Sequence, residues 1–519
     1  MSFREGIYAD LRAVRASARF SLAPPEAKDL ATAKSLHSEN EISRVWQVID
    51  DFSETDDIAT FEPDYWRLDG TFALPVSRHG SNWQVGFFSD EISDADGGFV
   101  DDPTVMIEFD RPMDCPRFGV AFGGTSGETV CADMRFIALG EGGETLYDQT
   151  VTGNSDQYVM SDGGAMGVKS FKLVCIRTLR PFRYARISEI DFGVTFRFEP
   201  ERIVDADTII EADPSGKNIR FNSLSLTVLN EGEFDQLDPE GSAAYLQTRQ
   251  PIELRFGARS GSGFHWTGGG VFYLSGWRVR GATVEFNCLG KAHRLSSVPA
   301  PELSGRKSIA ALATAVCEKA GLLCLLPDSL WQSPLAEPRF GDMMGREALA
   351  SIAELSCCLV FEDKTGAIRF VVPETREADD TLTYAQMLSE PEVNLGRYYN
   401  GIVLTEYNIS GERVEQTRTF YPAPWRDPLE PEYGWAVDIP MMTLDNPALR
   451  EWFLSRKFEL LRRRIGVNIS YRGNPAIIPG MFLDTQTNRE GRRTPLYVAS
   501  SSLNYSAGTL SGAIKAVGL

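Results

Sequence analysis

Four histidines, His37, His79, His265 and His293, are the side chains best placed to move protons near neutral pH or to hold a transition metal. None has a second histidine or a glutamate at ligand spacing, and no HExxH pattern occurs. His293 follows Gly290-Lys291, but no upstream glycine completes a phosphate loop there. No GxSxG nucleophile elbow and no dinucleotide GxGxxG is present. Asp90–Asp102 reads DEISDADGGFVDD and resembles a calcium loop at Asp94, Asp96 and Gly97. Its register fails. With Gly97 at the sharp turn, Ile92 and Pro103 would occupy the first and twelfth ligand positions, where calcium needs side-chain oxygens. A solvated acidic turn is the plainer reading, with a structural calcium as its rival.

The remaining chemistry is of recognition rather than reaction. The 72 acidic residues offer carboxylate pairs everywhere, so no pair stands out as a glycosidase acid and nucleophile. The segment from Ile42 to Ile190 holds Trp46, Trp66, Trp83, Phe87, Phe88 and Phe99 among many Gly and Asp. Aromatics at alternating positions, such as Phe109, belong to a core. Trp66 and Trp83 lie near loop residues and are the candidates for stacking on a sugar ring. Arg462, Arg463 and Arg464 close a helical pattern, where cations complement the helix dipole, and no interleaved aromatic completes a nucleic-acid platform. The eight cysteines form no CxxC pair, and Cys317 sits at a core spacing, which points to reduced core thiols made in the cytoplasm. Catalytic residues, cofactors and metals are therefore all expected to be absent, and the protein is expected not to be an enzyme.

The elements that would position these residues are mostly strands. In Phe221–Asn230, Leu224, Leu226 and Val228 alternate with Ser223, Ser225 and Thr227. Pro251–Gly257 and Gly276–Gly290 alternate in the same way, as expected of antiparallel strands with one buried and one wet face. Clusters at Asp213–Gly216, Asp238–Gly241 and Gly261–Gly270 read as breaks between strands. Phe3–Leu22 could be a first strand or an amphipathic helix, and Pro24-Pro25 ends it. Upstream of Asp191, strands are expected at Thr104–Phe109, Arg117–Phe122, Met134–Ala138, Ser170–Ile176 and from Tyr184 into Phe192, with a hairpin tip near Glu141–Gly143 and Tyr147–Asp148. Because this block lies between the N-terminal segment and the later strands, it reads as an insertion. Ile309, Leu312, Ala313, Val316, Cys317 and Ala320 fall at helical spacing before Gly321, and Leu349, Ile352 and Ala353 mark a second helix. Two strands then flank the turn Lys364–Gly366. A last helix is expected over Asn446–Arg464, capped by Asn446 with Pro447 in its first turn, among further strands.

At 519 residues the chain should form roughly three or four domains. Its net charge of −20 argues against a basic nucleic-acid footprint and against an anionic membrane surface. Met1–Leu30 lacks the pattern of a signal peptide, and no stretch reaches transmembrane length.

Several stretches, in shared order, resemble the tail-hub (baseplate hub, tail-tip) proteins of long-tailed bacteriophages. They are Ala59-Thr60-Phe61-Glu62-Pro63-Asp64-Tyr65-Trp66-Arg67-Leu68-Asp69-Gly70, Gly86-Phe87-Phe88-Ser89, Pro103–Ile107, Arg183–Gly193, Leu224–Asn230, Asp238-Pro239-Glu240-Gly241, Gln250-Pro251-Ile252, Tyr273–Trp277, Ser308–Gly321, Leu349–Ala353 and Ser501–Ile514. The resemblance implies a mainly β fold with a small α+β part. Residues 1–45 plus 191–298 would form a first hub β-barrel and 397–519 a second, flanking an α+β domain over 299–396. Residues 46–190 would be an inserted β-sandwich, a jelly roll of galactose-binding or discoidin type. It further implies a homotrimer at the distal end of the tail, joining the tail tube to the tip and lining the DNA channel. The implied partners are the distal tail protein, tail tube, tape measure and tip or fibre proteins, and the inserted domain would touch neighbours or host glycans. Phage DNA would pass without specific binding, for which an acidic channel is suited because like charges repel. The chain is expected to lack the fibre or peptidoglycan-cutting extension seen in many such proteins after the segment around Tyr505, leaving those functions to other proteins. The alternative functions are a carbohydrate-binding adhesin acting through 46–190 and, further off, a glycan hydrolase.

Overall fold

Alternating strands fold only where their apolar faces meet, and the computed structural model of the chain shows those meetings. It describes residues 3–518 apart from 10–11, 50–54, 67–71, 73–83, 125–128, 233, 235–244, 262, 375, 397–398, 400, 409–410, 421–433, 462, 464 and 487–490, with backbone only at 415–420. The fold is mainly β with a few short helices.

Thirteen of the described strands form one sheet. Its path runs Thr195–Phe198, Val14–Ser21, Pro251–Ser260, Gly263–Arg280, Thr283–Leu289, Ser223–Leu229, Ile203–Glu211, Arg493–Ser506, Thr509–Gly518, Ile465–Tyr471 and Glu392–Leu395. Phe482–Gln486 pairs with Arg493–Ser506 off this path and carries Asp380–Leu382. Ile203–Glu211 joins the two halves by antiparallel pairing from Asp205 opposite Ser506 to Glu211 opposite Ser500. The apolar side chains agree. Phe20, Leu226 and Phe286 from one half share a single core with Ile469, Leu496 and Ile514 from the other. Phe20 and Phe286 meet edge to face at 5.0 Å. The segments assigned to two barrels thus share one sheet and one core.

Residues 31–191 hold a β-sandwich. One sheet orders Ala31–Ser35, Thr104–Cys115, Ala165–Thr178, Cys131–Leu139 and Thr145–Val151. The other orders Phe87–Ile92, Tyr184–Asp191, Gly119–Phe122 and Tyr158–Met160. Val105, Ile107, Phe109, Phe118, Phe136 and Phe171 fill the space between them, and the Phe118 and Phe171 rings stack at 4.5 Å.

Four local readings change. Phe3–Leu22 is both a helix, Phe3–Ile7, and a strand, Val14–Ser21. The Gly261–Gly270 cluster breaks the chain only at its start, where Ser260 of one strand pairs with Gly263 of the next, and Gly263–Arg280 runs on through the rest of it. Glycine is used there for close approach. A Cβ on Gly257 of the paired strand would stand 3.0 Å from the Trp266 ring, so the bare backbone lets the indole lie across it. Ala31–Ser35, from the segment read as first barrel, instead pairs with Thr104–Cys115 as an edge of the sandwich. Finally, Gly401–Tyr407, Arg413–Phe420 and Gly434–Thr443 make a separate sheet. Ile402, Leu404, Val437 and Ile439, with Leu449 and Phe453 of the helix Pro447–Leu461, pack against the helices Ile309–Lys319 and Gly345–Ser356. The described residues of 401–461 therefore complete the α+β core rather than the C-terminal barrel strands. The cap read at Asn446 is made, with Asn446 Oδ1 accepting from Leu449 N at 3.3 Å, and the structure adds one at Ser308, whose Oγ accepts from Ala311 N at 3.2 Å.

Candidate functional site

Two features of the sandwich bear on function: the loop end that displays its aromatics, and the clamp that fixes it to the large sheet.

At the loop end, Glu62 and Arg186 form an ion pair with both side chains fully enclosed. Burying two charges is costly unless each finds further partners, and here each does. Glu62 Oε1 accepts from Tyr184 N at 2.9 Å, and Thr60 Oγ1 donates to Glu62 Oε2 at 2.5 Å. Arg186 Nη1 donates to Tyr65 Oη at 2.7 Å, and its guanidinium lies 4.3 Å from the Tyr65 ring and 4.5 Å from the Phe88 ring. Burial pushes the Tyr65 phenol up to about 12, so it stays protonated. Arg183 Nη1 adds a bond to Pro63 O at 2.9 Å. These contacts sew the loop 60–66 to the chain at 182–186, with Asp64 and Phe182 in the left-handed region at φ +54° and +57°. The loops so held present Phe61, 96% exposed, Phe182, 45% exposed, and Trp66, 38% exposed. An aromatic group left wet on a rigid double loop can cover an apolar face of a ligand or neighbour.

Trp66 is thus the sequence candidate that lies on this surface, while Trp83 lies outside the described residues. Phe61 and Phe182 were missed. Both occur within two residues of a proline in a polar context, in Phe61-Glu62-Pro63 and Pro181-Phe182-Arg183, and that was the available signal.

The clamp is electrostatic. The Arg19 guanidinium from Val14–Ser21 reaches Glu189 at 2.5 Å and Glu253 at 3.5 Å, and Lys28 reaches Glu189 at 2.5 Å and Asp191 at 3.7 Å. Tyr158 Oη donates to Asp191 Oδ2 at 3.1 Å. Burial pushes the Glu189 carboxyl up to about 7 against the opposing pull of Lys28 and Arg19. The chain crosses between the two bodies where Leu22 N donates to Val194 O at 2.8 Å.

The other candidates lie elsewhere in the fold. Asp94 Oδ1 accepts from Asp96 N and Gly98 N, both at 2.9 Å, so the acidic loop spends that oxygen on its own turn. Among the described residues no group of three His, Cys, Asp or Glu is arranged to hold a metal ion. All eight cysteines are free and seven are buried. Burial pushes Cys115 and Cys357 up to about 12, and a hydrogen bond with the Cys324 thiol together with burial raises Cys317, which disfavours their thiolates. Arg463 lies beneath the C-terminal end of the helix Pro447–Leu461, 5.7 Å from the Tyr497 ring, while Arg462 and Arg464 lie outside the described residues. No helix among the described residues is long and apolar enough to cross a membrane.

No protein-family model matches the chain, and no curated protein matches it. Solved structures similar to it include a tail protein from Neisseria meningitidis, at 10% identity and TM-score 0.45 over 63% of this chain and 94% of that one. A 43 kDa prophage tail protein from Shewanella oneidensis gives 11% identity and TM-score 0.42 over 62% and 95%. The family 32 carbohydrate-binding module of Streptococcus pneumoniae EndoD gives 13% identity and TM-score 0.19 over 31% and 93%. At these TM-scores the account of the fold rests on the chain's own sheets and cores.

Proposed function

We propose that this chain is a structural tail-hub protein of a long-tailed bacteriophage, without enzymatic activity. In this reading three copies form a ring at the distal end of the tail, between tail tube and tip, through which DNA passes. The ordered sequence resemblance supports it. The observation that carries it is the seam between Asp205–Glu211 and Ser500–Ser506. That seam fuses two strand-rich halves into one rigid wall with a continuous core, which is what a load-transmitting ring segment needs. The sandwich hangs from one end of this wall on the Arg19–Glu189–Lys28 clamp, where it can meet neighbouring tail proteins without interrupting the sheet. Imaging of intact particles tests the ring: three subunits encircling the tail axis are expected, and subunits lying off that axis overturn the reading.

The exposed Phe61, Trp66 and Phe182 favour a second role, in which the sandwich is a host-glycan adhesin. The two roles separate on excision of residues 24–192. The Leu22–Val194 hydrogen bond brings the flanking ends together, so a short linker can close the gap. Particles that assemble but fail to adsorb identify the adhesin. Tails that fail to form identify a structural domain.

A further inference from the structure

A second surface, remote from the aromatic loops, has the makings of a specific docking site. A cavity of ≈520 Å³ opens between the helix Pro447–Leu461 and the last strands of the large sheet. Its walls are apolar, with Leu395, Leu460, Leu461, Ile465 and Val517 among them. Size and lining are those of a ligand pocket.

Its polar groups are few and unequal. Lys457 Nζ is answered by Ser215 O at 2.9 Å and by the Glu354 carboxylate at 3.6 Å. Asp213 accepts from Ser215 N at 2.9 Å and from Asn218 N at 3.0 Å. Arg463 and Trp435 are not answered. The buried Nη1 of Arg463 and the buried Nε1 of Trp435 have no hydrogen-bond partner, and the Glu459 carboxylate attracts the Arg463 guanidinium without a hydrogen bond to that Nη1. Two donors without acceptors in an apolar hollow cost free energy until something supplies the acceptors. The missing group is an anion with more than one acceptor oxygen.

The rim adds an independent observation. Asn394, Leu395 and Gly396 border the cavity. The strand Glu392–Leu395 is the end of the large sheet, all four of its residues are exposed, and its one strand neighbour among the described residues is Ile465–Tyr471. Val393 and Leu395 stand 58% and 69% exposed. An open edge bearing apolar side chains is a template for another extended chain.

We propose that this edge and cavity together receive the carboxyl-terminal segment of a partner protein. The segment adds as a strand along Glu392–Leu395, its apolar last side chain enters the cavity, and its terminal carboxylate takes the Arg463 and Trp435 donors. The edge selects a peptide over a free fatty acid, which has no backbone to pair. This deepens the assembly role above and rests on it only in taking the partner to be another tail protein.

Saturation-transfer NMR on the full chain tests the site apart from any virion role. The probes are acetyl-Thr-Val-Thr-Leu as free acid, the same peptide as C-terminal amide, and decanoate. The acid is expected to bind about tenfold or more tightly than the amide, the worth of a charge-assisted bond. Arg463→Met should bring the acid down to the amide's level and leave the amide unchanged. Leu395→Glu, on an exposed position that the core does not need, should weaken the acid through charge repulsion while leaving the melting curve unchanged. Equal binding of acid and amide, indifference to Arg463→Met, or binding by no probe overturns the proposal. Decanoate binding without the peptide acid also overturns it, in favour of a free lipid.

Discussion

Replacing Glu62 by alanine should unfold the sandwich preferentially, and the size of the effect follows from what the carboxylate holds. Its side chain is fully enclosed and its partner Arg186 nearly so. Stranding a buried charge costs about 3–5 kcal/mol. The substitution also strips Tyr184 N of its acceptor, worth about 1 kcal/mol. The guanidinium keeps the Tyr65 hydroxyl and the rings of Tyr65 and Phe88, so the loss should not exceed the sum, about 4–6 kcal/mol. For a body of this size each kcal/mol moves the melting temperature by roughly 2–4 °C, so the sandwich transition should fall by roughly 10–20 °C. Scanning calorimetry of the full chain is the assay, with excision of residues 24–192 assigning which transition belongs to the sandwich. Glu62→Met combined with Arg186→Met should recover most of the loss, because replacing a whole buried pair by apolar groups costs little. A single-variant loss below about 1 kcal/mol, or a double variant no better than the single one, would falsify the account of this pair as the loop's anchor.

Two further outcomes are expected. Gly193→Ala would place a Cβ 2.3 Å from Ala23 N and 2.4 Å from Ala23 Cα at the crossing between the bodies. Backbone must shift to admit it, so urea denaturation should register a loss of about 2–3 kcal/mol, and a neutral result would show the crossing to be loose. Burial pushes Glu362 from 4.5 up to about 7 against the pull of the Ala292, Asn222 and Lys291 N–H groups. The folded protein therefore holds a proton that the unfolded chain releases between pH ~4.5 and ~7, and stability falls as pH rises through that window. The wild type should lose about 3 kcal/mol relative to Glu362→Gln across it and run parallel above it. Curves that stay parallel throughout would show that Glu362 is not protonated in the fold.

Much of the architecture was legible from local pattern. Leu224, Leu226 and Val228 had to share a buried face, since strand geometry leaves no other arrangement. Gly321, Asn446 and Pro447 announced helix ends through the capping needs of orphan backbone groups. Misreadings came where a residue's meaning depends on a distant neighbour. Gly261–Gly270 has the composition of a break and is one only at its start; from Gly263 the strand continues through the other glycines, with Trp266 packed over Gly257 of the neighbouring strand. The further strands expected around the last helix carry no sign of which core each joins; for Ile402 and Leu404 the helices at 309–319 and 345–356 decided that.

The candidate surface divides in the same way. Sequence singled out Trp66 by residue type and loop context, and it shows no HExxH, GxSxG or GxGxxG spacing. It could not bring Phe182 beside the loop of Phe61 and Trp66, because that adjacency is made by Glu62 and Arg186, 124 residues apart. Nor could it reveal the unanswered Arg463. A basic residue at a helix end looks complete in one dimension. Only the folded chain fixes that the carbonyls and carboxylates nearby are committed elsewhere, as those around Lys457 and Asp213 are. Local pattern fixes what each segment becomes because its energetics are short-ranged. Which faces meet, and which polar groups are left over, is decided only when all segments compete for the same buried space.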